Sequence, residues 1–270
     1  MAFGAHRANL NDLNKGLFKA PLLGKGAIFP DDNEQESTIK TFRFDKDLPE
    51  SPNGAKAAFE LQWHANSRHA IIFGIGSWEK TSIVRELGEV PTQGAVNVVN
   101  FERRAKISYS EYSIGWRYAF FDRAKYQIYF RSSFHEVFDI DYREDFVFSY
   151  ISGSDVAGFR RIQVMEAQTA ALFMGQLALG AEWFFRNWFS IGLEAGYLKG
   201  ERSVQLRNQT FLTDFVARDN IEFSARPYGA ASDGNLGYLA PGSDIDNVSY
   251  RRMKLNFSGW QVMVRINIYY

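Results

Sequence analysis

From Trp260 the even positions Trp260, Val262, Val264, Ile266, Ile268 and Tyr270 are apolar, while Gln261, Arg265 and Asn267 stand between them. The same two-residue period recurs upstream. Phe189, Ile191, Leu193, Ala195 and Tyr197 alternate with Ser190, Gly192, Glu194 and Gly196. Tyr126, Ile128, Phe130 and Phe134 alternate with Gln127, Arg131 and Ser133. Tyr112, Ile114, Trp116, Tyr118 and Phe120 alternate with Ser113, Gly115 and Arg117. Trp183 and Phe185 end another such run, and Phe59, Leu61 and Trp63 flank Glu60 and Gln62. Period two over this many segments predicts β-strands.

Strands are expected over 55–66, 69–86, 100–121, 126–147, 159–185, 187–207 and 250–270. Tight turns are expected near 66–68, 122–125 and 186–187, and long or polar connections at 46–55, 87–100, 144–158 and 207–249. Short and long connections alternate, as in an up-and-down antiparallel meander whose tight turns share one end. If that end is the bottom, the segments 55–66 and 250–270 both run downward. An upward strand must then precede residue 55, and STIKTFRFD (37–45) is the segment assigned to it. The expected fold is therefore all-β: a closed antiparallel barrel of eight strands over 37–270, with a tail over 1–36 and both termini at the tight-turn end. Closure removes the exposed edges that an open sheet would leave.

Several of these strands are about 20 residues long, against the usual 5–6. Their apolar alternation is confined to the half next to the tight turns. Beyond it the same face turns polar, as at Arg252, Lys254 and Asn256, which share the parity of Trp260. A transmembrane strand takes about 9–11 residues, the length of the apolar stretch over 260–270. A soluble barrel would point this face inward, but so much Trp, Tyr and Phe does not fit inside eight strands, where there is only just room for side chains. The apolar face is thus expected to meet lipid, at Trp63, Tyr112, Trp116, Tyr118, Phe120, Tyr126, Phe130, Trp183, Phe185, Phe189, Tyr197 and Trp260. Composition agrees with this: 24 Phe, 13 Tyr and 6 Trp in 270 residues. Formal net charge is zero, so no global field draws nucleic acid. Cysteine is absent, which excludes disulfides and thiolate metal sites. The opening MAFGAHRANLNDLNK has no apolar core of a secretory leader.

Val262, Val264, Ile266, Ile268 and Tyr270 resemble the C-terminal insertion signal of bacterial outer-membrane β-barrels, which alternates apolar residues and ends on an aromatic. Over 37–270 the chain resembles the small eight-stranded members of that class. The resemblance implies a Gram-negative outer membrane with its lipid and lipopolysaccharide as surroundings. It further implies engagement by the barrel-assembly machinery, periplasmic tight turns with both termini, and long loops outside.

The opposite face carries Glu60, His64, Glu111, Arg117, Arg131, His135, Glu182, Glu194 and Arg265. Both signs occur at similar heights, so pairing across a filled lumen is expected, since isolated charges there would be too costly. An open, porin-like pore is not expected. In SSFHEVFDID, Ser133, His135, Asp139 and Asp141 share the inward parity, the residue types of nucleophilic catalysis, but no catalytic motif is complete. Asp139, Asp141 and Asp145 suit a hard cation or an arginine-paired strand end; the latter is preferred because a full calcium loop's glycine and glutamate are missing. No metal, cofactor or catalytic residue is assigned. LNDLNKGLFKAPLLGKG suits a short amphipathic helix over 9–18, at a membrane face, a partner or the barrel itself. Loop 207–249, with Phe211, Phe215, Phe223, Tyr228 and Tyr238, is the other expected contact surface. The leading functional expectation is a non-enzymatic structural or docking barrel. A channel or carrier for small apolar molecules, leaving sideways through the wall and with a cavity near Trp78, Tyr109 and Val137, is the first alternative. A lipid-A-modifying enzyme is the second.

Overall fold

The computed structural model describes residues 1–11, 22–23, 42–43, 53–92, 95–152, 160–169, 171–204, 210–211, 221–222, 229–231, 236–237, 250–251 and 253–269. Eight antiparallel strands close into a barrel. They are β1 (Ala2–His6), β2 (Gly54–His64), β3 (His69–Thr92) and β4 (Ala95–Arg123). After these come β5 (Tyr126–Ser152), β6 (Leu172–Arg186), β7 (Phe189–Lys199) and β8 (Gly259–Ile268). Strands adjacent in sequence are adjacent in the wall, and β1 completes the ring between β8 and β2. The segment Arg160–Thr169 continues the β6 side of the wall along the outer part of β5.

Three tight turns lie at one end. In the first, the Asn66 side-chain oxygen accepts the backbone N–H groups of Arg68 and His69, both at 2.9 Å; this is how an Asx turn mimics a backbone turn. The others occupy 124–125 and 187–188.

The strand that closes the ring is not 37–45. Ala2–His6 takes that place, pairing Ala2 with both Arg265 and Ala58, and His6 with both Gln261 and Gly54. The reason is close backbone approach. A Cβ on Gly4 would stand 1.9 Å from the Val262 carbonyl oxygen and 2.8 Å from Met263 Cα. Within 37–45, Phe42–Arg43 pairs instead with Leu22–Leu23, and the remainder lies outside the described residues. So does the expected helix from residue 12 onward. Residues 7–53 therefore connect β1 to β2 at the end opposite the tight turns. Met1 stands inside the wall, exchanging backbone hydrogen bonds of 2.8 Å with Ile266 in both directions. Tyr269 is at the tight-turn end, where its N–H donates to the Trp188 carbonyl at 2.9 Å.

Two expected connections are largely strand. The β3–β4 ladder runs on to Thr92 opposite Ala95, and β5 continues to Ser152. At 29 residues β4 is roughly 95 Å long by the usual rise per residue. The sheet of β3, β4 and β5 thus stands far above the rest of the barrel. Along it the outer face changes character at one height. Ile75 and Tyr112 give way to Ser77 and Ser110, then to the Lys106–Glu79 ion pair at 2.7 Å and the Arg85–Glu102–Arg104 cluster. The register slips at this border, where Ser108 faces Asp141 but Ser110 faces Phe138. Asp139 takes a left-handed φ of 47° in the resulting bulge.

Candidate functional site: a filled lumen

Inward parity brings the charged residues of six strands into one column, which stacks in layers. Nearest the tight turns, Arg117 on β4 pairs with Glu182 on β6. Arg117 also donates to Gln127 at 2.7 Å and Gln62 at 3.1 Å. Glu182 accepts hydrogen bonds from Ser190, Asn267 and Tyr269. His64 stays exposed at this mouth, and its ring centre lies 5.7 Å from that of Tyr269.

The next layer is a quartet of two carboxylates and two guanidiniums. Arg131 reaches Glu60 at 2.9 Å and Glu194 at 3.7 Å. Arg265 pairs with Glu60 and reaches Glu194 at 2.8 Å. Tyr129 donates to Glu194 at 3.2 Å, and its ring lies 3.9 Å below the Arg117 guanidinium. Its ring fits there because Gly180 on β6 has no side chain: a Cβ would stand 2.2 Å from the tyrosine ring.

Above the quartet, Lys56 pairs with Glu111 at 2.7 Å, and Glu111 reaches His135 Nδ1 at 3.2 Å. Ser133 Oγ lies 2.9 Å from His135 Nε2, and the Gln176 carbonyl oxygen accepts from Ser133 at 2.8 Å. This is a serine–histidine–carboxylate order, assembled from two strands. All three are buried, Gln176 occupies the space beside the serine, and the outer-face notch beside Ser77 and Ser110 does not include Ser133 or His135. Asp139 and Asp141 do not join them. The bulge turns Asp139 outward and carries Ile140 and Tyr142 inward instead.

The top layer is aromatic. Trp78 stacks on Tyr109 at 5.2 Å, and both meet Phe257 edge-on at 5.6 and 5.0 Å. His6 adds its ring at 5.9 Å from Trp78, and Trp78 donates to its carbonyl at 3.2 Å. The apolar cavity expected at Trp78, Tyr109 and Val137 is occupied by these side chains, all fully buried.

On the outer face the order is inverted. Trp63, Trp183 and Trp260 are 62%, 52% and 64% exposed, whereas Arg131 is 1% and Glu194 0%. Val262, Val264, Ile266 and Ile268 point outward as well; Tyr270 lies outside the described residues. Among the described residues no cluster of three or more His, Asp or Glu is arranged to hold a metal ion, and Asp145 pairs with Arg143 at 2.8 Å. No helix among them is long and apolar enough to cross a membrane, which does not bear on crossing by strands. Of loop 207–249 only short ladders are described, such as Thr210–Phe211 with Ile221–Glu222.

Lys56, Tyr129, Gln176, Ser190, Asn267 and Tyr269 belong to this column without having been singled out as site residues. The alternation of their strands carried the signal for several of them, since inward parity includes neutral polar groups as readily as charges. Comparison with protein-family models, with curated proteins and with solved structures found no match.

Proposed function

We infer that the protein is an outer-membrane β-barrel with a filled lumen that acts as a structural and docking element rather than as a pore or an enzyme. One observation carries this reading: large apolar side chains face outward around the wall while salt-bridged charge fills the interior. That is the opposite partition from a barrel in water, where an outer belt of exposed tryptophans would promote association. In lipid it costs nothing, and the barrel's closed ladders satisfy the backbone.

In this reading the tight turns face the periplasm, and the tall β3–β5 sheet, loop 207–249 and the 7–53 connection lie outside. The paired outer face of the tall sheet suits water beyond the lipid. Docking falls to this outer assembly, because loops and extensions on a rigid scaffold are where binding residues concentrate. Partners are membrane lipid and lipopolysaccharide along the wall, the assembly machinery during insertion, and a protein at the outer face.

The test is refolding from urea into phospholipid vesicles, followed by tryptophan fluorescence with acyl-brominated lipids. Quenching of the outward tryptophans and a folded form that resists unfolding in cold detergent are expected. A protein that folds in buffer alone and ignores the vesicles would sink the reading. Planar-bilayer recordings should show no ionic current beyond the bare bilayer.

A further inference from the structure

The outward belt carries a dent. A row of residues crosses five strands at the upper border of the belt, in register: Phe3, Ala57, Ser77, Ser110 and Phe138. Aromatic rings stand at both ends and three small side chains lie between. The row beneath it, Phe59–Ile75–Tyr112, is large again and forms a sill. Phe138 stacks on Tyr112 at 4.6 Å, so that wall is stiff. Together they line an open notch of about 480 Å³ on the outer wall, a volume within the range of small-molecule sites.

We propose that this notch seats one acyl chain of a phosphate-bearing membrane lipid, with the phosphate held above it by Lys106. The proposal rests on the membrane reading and makes it specific. The notch opens from the apolar belt, so a chain enters it without leaving hydrocarbon. Its floor offers the Ser77 and Ser110 hydroxyls where a chain's ester groups would lie. Lys106 Nζ lies 2.7 Å from the carboxylate of Glu79, which stands two residues along β3 from Ser77, about 7 Å at the usual rise. This matches the height at which a phosphate follows the esters. Lys106 is paired with Glu79, but the two are 43% and 53% exposed. Such a surface pair holds its partner weakly, so an incoming phosphate can replace the carboxylate. The occupant is thus recognised twice, by shape at the floor and by charge above it.

The experiment uses the full chain, stripped of lipid in detergent and examined by native mass spectrometry. The probes are phosphatidylglycerol, diacylglycerol with the same chains, and inorganic phosphate alone. One phosphatidylglycerol per barrel is expected, bound about fivefold more tightly than diacylglycerol, as one lysine near a phosphate would give. The double variant Ser77→Leu/Ser110→Leu fills the notch from outward positions, and should weaken binding of both lipids at least about tenfold, because several methylenes lose their seat. Lys106→Ala should remove only the preference for phosphatidylglycerol. Inorganic phosphate should not compete. Equal lipid retention by the wild type and the filled variant overturns the proposal, as does adhesion of many lipids without saturation at one. Vesicle insertion of the same samples separates the two levels: a wild type that inserts but keeps no lipid defeats this site alone, and one that does not insert defeats the membrane reading with it.

Discussion

Removing Arg265 tests whether the lumen is held by paired charge. In Arg265→Ala, Glu60 loses its Arg265 partner and Glu194 loses a contact of 2.8 Å. Arg131 remains 2.9 Å from Glu60 and 3.7 Å from Glu194, so one guanidinium must serve two buried carboxylates. Breaking a buried pair by deleting one partner costs about 3–5 kcal/mol, chiefly from the charge left behind. With Arg131 still in place the lower end applies, about 3 kcal/mol. The second variant, Glu60→Gln in the same background, restores one cation to one anion. It should recover a good part of the loss, a coupling of about 2 kcal/mol in the double-mutant cycle. The exposed pair Lys106–Glu79 is the control, where Glu79→Ala should cost below about 1 kcal/mol. Urea titrations in vesicles, read by tryptophan fluorescence, measure all five proteins: wild type, Arg265→Ala, Glu60→Gln, the double variant and Glu79→Ala. An Arg265→Ala barrel within about 1 kcal/mol of the wild type, or a double variant that costs the sum of the singles, would show that the quartet is not a coupled charge unit.

Four other outcomes are expected. Val264→Arg puts a cation on the outer belt and should destabilise the barrel in vesicles by about 2–4 kcal/mol if it lies near the bilayer midplane; an unchanged unfolding midpoint would contradict the lipid-facing assignment. Trp78→Ala should cost about 3–5 kcal/mol as a cavity in the aromatic layer. It should still pass no current in a planar bilayer, because the ion-paired layers beneath remain. At Asp139, glycine should be tolerated and valine should cost about 1–2 kcal/mol, since only the valine meets the left-handed steric penalty; equal stabilities would argue against the bulge. His135→Ala and Ser133→Ala should leave the mass of lipid A extracted from expressing cells unchanged, whereas a mass shift lost on either substitution would reveal catalysis.

Much of the wall was legible because period-two alternation survives any tertiary context: a one-residue slip would turn every apolar residue of a strand to the wrong face. That rule alone places Arg131, Glu182, Glu194 and Arg265 in one interior. It failed at Asp139 for a local reason. A bulge adds one residue and exchanges the faces beyond it, and nothing in DIDYRED announces the slip, since aspartate is common both in turns and at strand ends. The connections expected at 87–100 and 144–158 are strand over 87–92, 95–100 and 144–152, because polar composition alone does not make a loop. Where both neighbours of a strand pair stand in water, polar strands are stable through their ladder and their cross-strand ion pairs.

The closing strand shows a different limit. AFGAH has five residues, one aromatic and no alternation long enough to count, so periodicity cannot tell it from a tail. What identifies it is the requirement for closure combined with backbone proximity. The count of downward strands demanded an upward neighbour for both Gly54–His64 and Gly259–Ile268, and that neighbour must let two backbones approach on either side. Gly4 meets this demand; STIKTFRFD contains no glycine. Small residues at Ala2, Gly4 and Ala5 therefore carried the signal, read as spacing between strands rather than as hydrophobicity. The consequence reaches function. With β1 in the wall, the leucine- and lysine-bearing stretch falls between His6 and Gly54, which pair at the end of the barrel opposite the tight turns. In the proposed reading that end is the outer one, so the stretch expected on the periplasmic side is instead offered to the proposed docking surface.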